Sequence, residues 1–230
     1  MTEDFEDRFK RIEAKVKTLA DIEDKAKALE ARVRTLEDIQ EINKLQRIYG
    51  YYLDDKMYDE AADLFADEGA SIDMGSFAYI GKEGVRRFLR SMIPEGVTQE
   101  EVKRWLSLHM QLQGVVDVNP DGKTAKGRWQ MFCMAGRPDT EDSLMQHGVY
   151  EDEYVKEGGK WKIKTLLYHA SFITTLKEGW AKKPCMILEG LTLAEPDIWR
   201  DTNDFTGFVN TFYPSGYIFP YHFKNPVTER

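Results

Sequence analysis

The stretch that decides the fold is LSLHMQLQGVVDVNPDGKTAKGRWQMFCMAG, residues 106–136. Its first part alternates polar and apolar side chains. The polar row is Ser107, His109, Gln111 and Gln113, and the apolar row is Leu106, Leu108, Met110 and Leu112. A period of two predicts a half-buried strand. The sequence NPDGK then predicts a tight turn before TAKGRWQMFCMAG, so the stretch predicts a long antiparallel hairpin.

The flanking segments extend this hairpin into an α+β domain. After it come LMQHGVYEDEYVKE, a Gly-Gly turn and KWKIKTLLYHASFI, which predict two more strands. Before it, ASIDM and FAYIG predict a short hairpin, and GKEGVRRFLRSMI predicts a helix. TQEEVKRWL predicts a second helix opened by a capping box of Thr98 and Glu101. Helices followed by a meander predict an α+β fold with the helices on one face of a curved antiparallel sheet.

Both ends of the chain differ from this domain. Residues 5–48 predict one long helix or two in line, with a coiled-coil seam of apolar residues spaced mostly by four and three. We expect residues 1–37 to be a coiled-coil-like oligomerisation helix, or alternatively to pack back on their own domain. Residues 176–230 are rich in aromatic side chains. We expect this extension to wrap the domain, to cover a pocket or to dock on a neighbouring subunit.

Composition excludes several classes of function. The 230 residues carry a net charge of −8, which argues against nucleic-acid binding. No apolar run is long enough to span a membrane, and the N-terminus lacks the apolar core of a signal peptide, so we expect a cytoplasmic protein. The two cysteines, Cys133 and Cys185, show no zinc spacing, and nucleotide motifs are missing. We therefore expect chemistry without a metal or another cofactor.

The candidate catalytic residues come from one strand and one helix. His109 stands in the polar row and can exchange a proton near neutral pH. Asp54, set among tyrosines in QRIYGYYLDDKMYDEAADLF, could orient the ring, whereas Asp55 should point to solvent. Tyr49 or Tyr58 could donate a proton to an oxygen. A lone strand histidine with a core or surface role is the simpler alternative.

Five further residues are candidates for binding a substrate. Alternation places Trp129, Met131 and Cys133 on one face of their strand, where they line either a pocket or a plain core. His147 and His169 are additional candidates for the lining of a pocket.

These residues resemble the SnoaL-like branch of the nuclear-transport-factor-like fold. The similarity covers EDIQEINKLQRIYGYYLDDKMYDEAADLFADEGASIDM, GKEGVRRFL, the hairpin and HGVYEDEYVKEGGKWKIKTL. It implies that residues 38–175 form a cone, in which N-terminal helices close a strongly curved sheet around a pocket. Bile-acid dehydratase, scytalone dehydratase and hexachlorocyclohexane dehydrochlorinase are similar in layout, and the resemblance implies cofactor-independent elimination in a homotrimer.

One motif of the family can be matched to this chain residue by residue. The family's Tyr-x4-Asp-x-Lys-x-aromatic pattern falls on Tyr49, Asp54 and Tyr58, and its strand histidine falls on His109. The resemblance places His169 at a substrate-contacting position. It also places Cys133 where bile-acid dehydratase has a further aspartate, which is a departure from that enzyme.

Three functional hypotheses follow. The extended chain resembles diarylpropane lyases, which implies loss of formaldehyde from a lignin-derived diarylpropane to give a stilbene. Dehydration of a hydroxysteroid-like or polyketide-like alcohol is the second hypothesis, and a non-catalytic binding or assembly module is the third.

Overall fold

A computed structural model describes residues 2–138, 143–185, 193–200 and 211–229. Residues 1–40 and 41–230 form two compact units and are described separately. The elements in chain order are α1 (Thr2–Asp54), α2 (Tyr58–Asp63), β1 (Ser71–Asp73), β2 (Phe77–Ile80), α3 (Gly81–Arg90), α4 (Gln99–Lys103), β3 (Leu106–Val118), β4 (Thr124–Gly136), β5 (Leu144–Glu157), β6 (Lys160–Thr175) and β7 (Ile198–Trp199).

Helix α1 is one continuous helix that runs past its predicted end at residue 48 to Asp54. Its predicted seam is exposed in residues 1–40: Phe5 is 74% exposed and Leu36 is 63% exposed. An uncovered apolar stripe of this kind is typical of a helix that can associate with another helix. The boundary between the two units lies after Gln40, three residues beyond the predicted one.

Residues 41–230 contain a curved, open sheet in the order β3-β4-β5-β6-β1-β2-β7. The predicted meander is confirmed, since β3 to β6 pair antiparallel in sequence order. The predicted β1–β2 hairpin and the capping box at Thr98 are also confirmed. One detail differs from the prediction, because β1 runs parallel to β6. Among the described residues, β3 and β7 are the two edge strands of the sheet.

The core lies between the helices and one face of the sheet, here called the inner face. Buried side chains of the helices, such as Tyr49, Leu53 and Ala61, join one hydrophobic cluster with Trp129 and Tyr168 from the sheet. A bulge in β3 allows this packing, because the register shifts between Leu112 and Val115. A Cβ atom at Gly114 would lie 2.1 Å from the Trp129 ring, so the ring occupies space that only glycine leaves open.

The described parts of the C-terminal extension contact their own domain. Strand β7 pairs with β2, and Arg200 binds Asp73 at 2.6 Å. The later part packs on the face of the sheet opposite the core, here called the outer face. There the ring of Phe219 stacks on His169, with centroids 4.5 Å apart, and Arg128 donates to the carbonyl of Pro220. Residues 217–223 therefore pack on the outer face of their own domain.

Candidate active site

The polar row of β3 faces inward. His109 pairs with Cys133 and Gln111 pairs with Met131 across the β3–β4 ladder, and both partners on β4 are buried. The apolar row of β3 is exposed, with Leu106 at 60%. This orientation is the reverse of an ordinary half-buried strand. It places the histidine and its polar neighbours against the helices.

Asp54 and His109 form a hydrogen-bonded pair on the inner face. Asp54 Oδ1 lies 2.9 Å from His109 Nδ1 and also accepts the backbone N–H of His109 at 2.6 Å. Within the described residues β3 is an edge strand, and this N–H donates to Asp54 instead of to a neighbouring strand. A carboxylate only accepts hydrogen bonds, so Nδ1 carries the proton and the lone pair of neutral His109 lies on Nε2. The predicted partnership of these two residues is thus present in the structure.

Gly50 allows the close approach of α1 to β3. A Cβ atom at this position would lie 2.7 Å from the carbonyl oxygen of His109. Glycine inside a helix costs roughly 0.5–1 kcal/mol relative to alanine. The close contact that it permits brings the Asp54 carboxylate within hydrogen-bonding distance of the histidine.

Lys56 holds the end of α1 in place. Its side chain donates to the carbonyls of Asp54 and Trp105, the latter at 2.7 Å, so it links the end of α1 to the residue before β3. Lys56 adopts a left-handed backbone conformation with φ of 60°, which ends the helix directly after Asp54. Burial lowers the pKa of Lys56, while Asp54 and Asp55 raise it. Asp55 is exposed, as predicted.

The environment raises the pKa of His109 to about 9. Burial by itself lowers this pKa. The interaction with Cys133 and the hydrogen bond that His109 donates to Asp54 raise it by more, because they favour the imidazolium. The side chains of His109 and Asp54 remain 23% and 19% exposed, so the pair is within reach of a small molecule.

The two predicted tyrosines differ in burial. Tyr49 is buried and lies edge-on to Phe65, with ring centroids 5.9 Å apart. Burial raises the pKa of Tyr49 well above its usual value, with smaller contributions from Asp152 and Tyr58. Burial also raises the pKa of Tyr58 to about 12. Both hydroxyls therefore keep their protons at neutral pH and can donate hydrogen bonds.

Asp152 is a second carboxyl group on the inner face, and the sequence analysis did not single it out. It is 1% exposed and accepts the backbone N–H of Leu167 at 3.2 Å. Burial raises the pKa of Asp152 well above its ordinary value, although hydrogen bonding with Leu167, Tyr154 and Gln46 opposes this. The signal in the sequence was the run Glu151-Asp152-Glu153, because alternation in a strand turns the middle residue away from the other two.

Tyr154 connects Asp152 to helix α1. Its hydroxyl accepts from Trp129 Nε1 at 2.9 Å, donates to Gln46 Oε1 at 2.8 Å and lies 3.3 Å from Asp152 Oδ2. Since the single phenolic proton goes to Gln46, a protonated Asp152 is the form that can donate to Tyr154. Gln46 in turn donates to Gln111 Oε1 at 3.1 Å. A continuous polar network therefore runs beneath the Asp54–His109 pair.

Trp129, Met131 and Cys133 all lie on the inner face, as predicted, and all three are buried. Their role in binding a substrate stays a prediction. Gln146, the β5 partner of Cys133, donates to the hydroxyl of Tyr168 at 2.8 Å and adds two polar side chains to the inner face.

His147 and His169 lie on the outer face, which corrects their predicted place in the pocket. His147 pairs with Phe132 of β4. His169 pairs with Val149, which in turn pairs with Gln130 of β4. Phe132 and Gln130 alternate along β4 with the inward-facing residues, so both histidines point to the opposite face. His147 stacks on Phe172, and His169 stacks on Phe219. Burial lowers the pKa of both histidines. The structure thus does not bring them together with His109.

The described ranges contain no cluster of three or more His, Cys, Asp or Glu side chains placed to hold a metal ion. None of their helices combines the length and apolarity that crossing a bilayer requires.

Fold and site together define an α+β domain whose curved sheet presents a histidine–carboxylate pair to the covering helices. The profile of the SnoaL-like domain family matches residues 34–166, and the chain belongs to this family. No curated protein sequence matches the chain.

Solved structures share the fold. A protein from Novosphingobium aromaticivorans, provisionally assigned as a scytalone dehydratase, is 19% identical with a TM-score of 0.53; the match covers 62% of this chain and 90% of that one. LinA is 18% identical with a TM-score of 0.52, over 64% of this chain and 94% of LinA. The hexachlorocyclohexane dehydrochlorinase LinA-type3 from Novosphingobium barchaimii is 20% identical with a TM-score of 0.51. The match covers 63% of this chain and 94% of that protein.

Proposed function

We propose that this protein is a cofactor-independent lyase that acts on a bulky, largely apolar alcohol, with His109 as its general base. The observation that carries the proposal is the contact of 2.9 Å between His109 Nδ1 and Asp54. This contact assigns the proton to Nδ1 and stabilises the imidazolium that forms when Nε2 takes a proton from the substrate. The named likenesses to a dehydratase and a dehydrochlorinase support an elimination.

The reaction requires one base and one acid. In the deformylation of a diarylpropane-1,3-diol, His109 takes the proton of the primary hydroxyl. The C–C bond breaks to release formaldehyde, its electron pair forms the alkene, and the neighbouring hydroxyl leaves as water after receiving a proton. Tyr49 and Tyr58 stay protonated at neutral pH and are the candidates to assist this oxygen.

The surroundings of the pair support an aromatic or polycyclic substrate. Tyr150 and Tyr168 lie tilted against each other on the inner face, with ring centroids 5.1 Å apart, and Trp129 is buried beside them. Aromatic faces pack well against flat apolar molecules. A low local dielectric also strengthens each polar contact at the reacting oxygens. We therefore infer a role in the degradation of aromatic compounds.

The test is incubation of the purified protein with diarylpropane diols and hydroxysteroids without any added cofactor. New conjugation would be followed by absorbance, and formaldehyde would be assayed in parallel. Conjugation with formaldehyde identifies the deformylating lyase, and conjugation without formaldehyde identifies a dehydratase.

The matched controls are His109→Ala, Asp54→Ala and His222→Ala. The first two variants should lose the activity, and His222→Ala should keep it, because His222 lies on the outer face. If no substrate reacts, or if all three variants match the wild type, the site is not catalytic and a binding or assembly module explains the fold better.

We also propose that the protein is a cytoplasmic homotrimer. The exposed apolar seam of α1 supports association, and the trimer is what the family resemblance implies. Light scattering coupled to size exclusion measures the assembly, and a monomeric mass would contradict the proposal.

A further inference from the structure

The first part of helix α1 carries large apolar side chains that nothing within residues 1–40 covers. Each of the following is more than half exposed: Phe5, Phe9, Ile12, Val16, Leu19, Ile22, Leu29, Val33 and Leu36. A soluble protein rarely exposes so long an apolar stripe unless it is a surface for interaction. The question is therefore which partner fits this stripe.

The stripe follows the heptad repeat of a coiled coil in two blocks, residues 5–19 and 22–36. With the seven positions lettered a to g, each block has apolar side chains at a and d. Position a is Phe9, Val16, Ala26 and Val33, and position d is Phe5, Ile12, Leu19, Ile22, Leu29 and Leu36. A step of three residues between Leu19 and Ile22 separates the blocks and overwinds a coiled coil locally. The stripe thus has the narrow width that another helix covers.

The two edges of the stripe carry opposite charges. Position e is Glu6, Glu13, Ala20, Glu23, Glu30 and Glu37, and position g is Arg8, Lys15, Lys25 and Arg32. All of these side chains are exposed. Glu23 pairs with Lys27 of the same helix at 2.8 Å, with both side chains 67% exposed. One edge is therefore acidic and the other is basic.

This distribution of charge favours one direction of pairing. In a parallel, in-register coiled coil, each g residue lies opposite the e residue five positions further along the neighbouring helix. The pairs that result are Arg8 with Glu13, Lys25 with Glu30, and Arg32 with Glu37. An antiparallel pair would place e beside e and g beside g, so that like charges would oppose each other. The helix is therefore complementary to a second copy of itself in the parallel direction.

A lipid surface fits the same stripe less well. A helix that lies on a membrane has a broad apolar face and a polar face rich in Lys and Arg. Here the stripe is narrow, and its acidic edge would be repelled by anionic headgroups.

We propose that residues 5–37 assemble with the same residues of other copies of this chain into a parallel, in-register coiled coil, whose direction is set by the ion pairs between positions g and e. The inference rests on the proposed self-association of the protein and adds its direction and register. These ion pairs form at every contact between neighbouring parallel helices, so the inference holds for three helices as well as for two.

Disulfide formation between introduced cysteines tests direction and register in the full-length protein. Ala26→Cys occupies the core position a, whereas its matched control, Ala31→Cys, occupies the outward position f. A disulfide needs Cα atoms roughly 4.4–6.8 Å apart, which core positions of neighbouring parallel helices provide. Positions f lie further apart than the helix diameter of about 10 Å. Peptide mass spectrometry identifies which cysteines are linked, and circular dichroism confirms that each variant is helical.

Ala26→Cys and Ile12→Cys should each link to the same residue of another copy. The yield at these core positions should exceed that of Ala31→Cys by roughly tenfold. An antiparallel pair can bring only one of the two core positions opposite itself, so that links at both require the parallel direction. Failure of either core position to link to itself, or an equal yield at Ala31→Cys, overturns the proposal.

Charge reversal in the Ala26→Cys protein tests the ion pairs. Lys25→Glu combined with Arg32→Glu makes both edges acidic and should lower the yield of disulfide by roughly fivefold or more at low salt. The further changes Glu30→Lys and Glu37→Lys restore the pairs with exchanged signs and should recover the yield. A yield that does not recover contradicts the role of these pairs.

The matched control reverses the same residue types on the outward side of the helix. Lys27→Glu combined with Arg34→Glu changes the net charge equally at position b, and it also removes the pair of Lys27 with Glu23. The yield should stay within about twofold of the parent, because position b does not face the neighbouring helix. A loss as large as that caused by reversal at position g contradicts the proposal.

Light scattering distinguishes this inference from the proposed trimer. A trimeric mass without links at the core positions overturns the coiled coil and keeps the trimer. Links at both core positions with a dimeric mass keep the coiled coil and contradict the trimer, and a monomeric mass contradicts both. None of these measurements needs a substrate, so the result is independent of the proposed lyase activity.

Discussion

Two histidine–carboxylate pairs lie on opposite faces of the same sheet with the same separation. On the inner face, His109 Nδ1 is 2.9 Å from Asp54, and on the outer face, His222 Nδ1 is 2.9 Å from Glu151. Distance alone therefore does not separate a catalytic pair from a structural one. What separates them is the exposure of the histidine and the remaining partners of the carboxylate.

The outer pair has further charged neighbours. Glu151 also binds Arg128, whose guanidinium lies 4.2 Å from the centroid of the Tyr221 ring, and His222 Nε2 lies 3.5 Å from Asp117. The side chain of His222 is 5% exposed, compared with 23% for His109. We interpret the outer pair as a clamp that fastens residues 220–222 to β4 and β5. The inner pair is the more exposed of the two.

The largest expected effect separates the two pairs by activity. His109→Ala should lower the rate of elimination by roughly 10²- to 10⁴-fold, because the general base is removed. His222→Ala should leave the rate within about twofold of the wild type, since the clamp touches no reacting atom. The rate is measured as alkene formation at a saturating substrate concentration. Equal losses of rate in both variants would show that the inner pair is no more important for activity than the outer pair.

The second prediction uses pH to sharpen the contrast. Because the pKa of His109 is raised to about 9, the base form should increase roughly tenfold per pH unit below that value. We expect kcat/KM to rise from about pH 7 and to level off near about pH 9. His222→Gln should not move the profile. A profile that falls above neutral pH would instead assign His109 the role of the acid.

The same raised pKa has a consequence for stability. A histidine whose folded-state pKa exceeds its ordinary value of about 6.5 stabilises the fold fully below that value. Its contribution is lost as the pH rises through about 9. The free energy of unfolding in urea should fall across this window in the wild type and less so in His109→Gln.

The third prediction breaks the clamp. Glu151→Gln should destabilise the fold by roughly 2 kcal/mol, because Arg128 and His222 lose their common carboxylate in a mostly buried setting. Urea unfolding measures the change, and limited proteolysis reports whether residues 211–229 are released. Activity should stay near that of the wild type.

Glu153 offers the control for this substitution. It lies on the same strand, and its pair with Lys126 spans 3.8 Å with both side chains about half exposed. Glu153→Gln should therefore change the free energy of unfolding by less than about 0.5 kcal/mol. A clamp variant as mild as this control would mean that the tail is held by its aromatic contacts instead.

The inner pair could be predicted from sequence because a local pattern marks each of its two residues. Period two assigns His109 to the polar row of its strand, and the aromatic setting of Asp54 marks the facing end of a helix. The family motif linked the two residues. By contrast, the faces of His147 and His169 depend on strand register, which alternation within a single strand does not determine. The β5–β6 register also shifts next to His147.

The clamp and the polar network were harder to predict for a different reason. Glu151 and His222 are 71 positions apart in the chain, and the extension that carries His222 has no periodic pattern that assigns it to a face. Lys56 is the lysine of the family motif, but its role depends on its own backbone conformation and on two carbonyls, which the motif does not specify. The inward position of Asp152 could have been predicted, since three consecutive acidic residues in a strand cannot all face solvent.

The smallest effect is expected at Asp152. Burial raises the pKa of this carboxyl group, so at neutral pH the folded state either keeps it protonated or buries a charge, and both cost free energy relative to the unfolded chain. Asp152→Asn avoids this cost and retains an acceptor for the N–H of Leu167 and a donor for Tyr154. The variant should gain a few degrees in Tm near pH 7, since 1 kcal/mol corresponds to roughly 2–4 °C in a chain of this size.

The pH dependence of this gain follows from linkage. An acid with a raised folded-state pKa stabilises the fold below its unfolded pKa and loses that contribution as the pH rises. The gain in Tm should therefore shrink toward about pH 4, where the unfolded chain also binds the proton. A variant that is less stable than the wild type at both pH values would show that Asp152 is ionised in the folded protein, which would place a second carboxylate beside the Asp54–His109 pair.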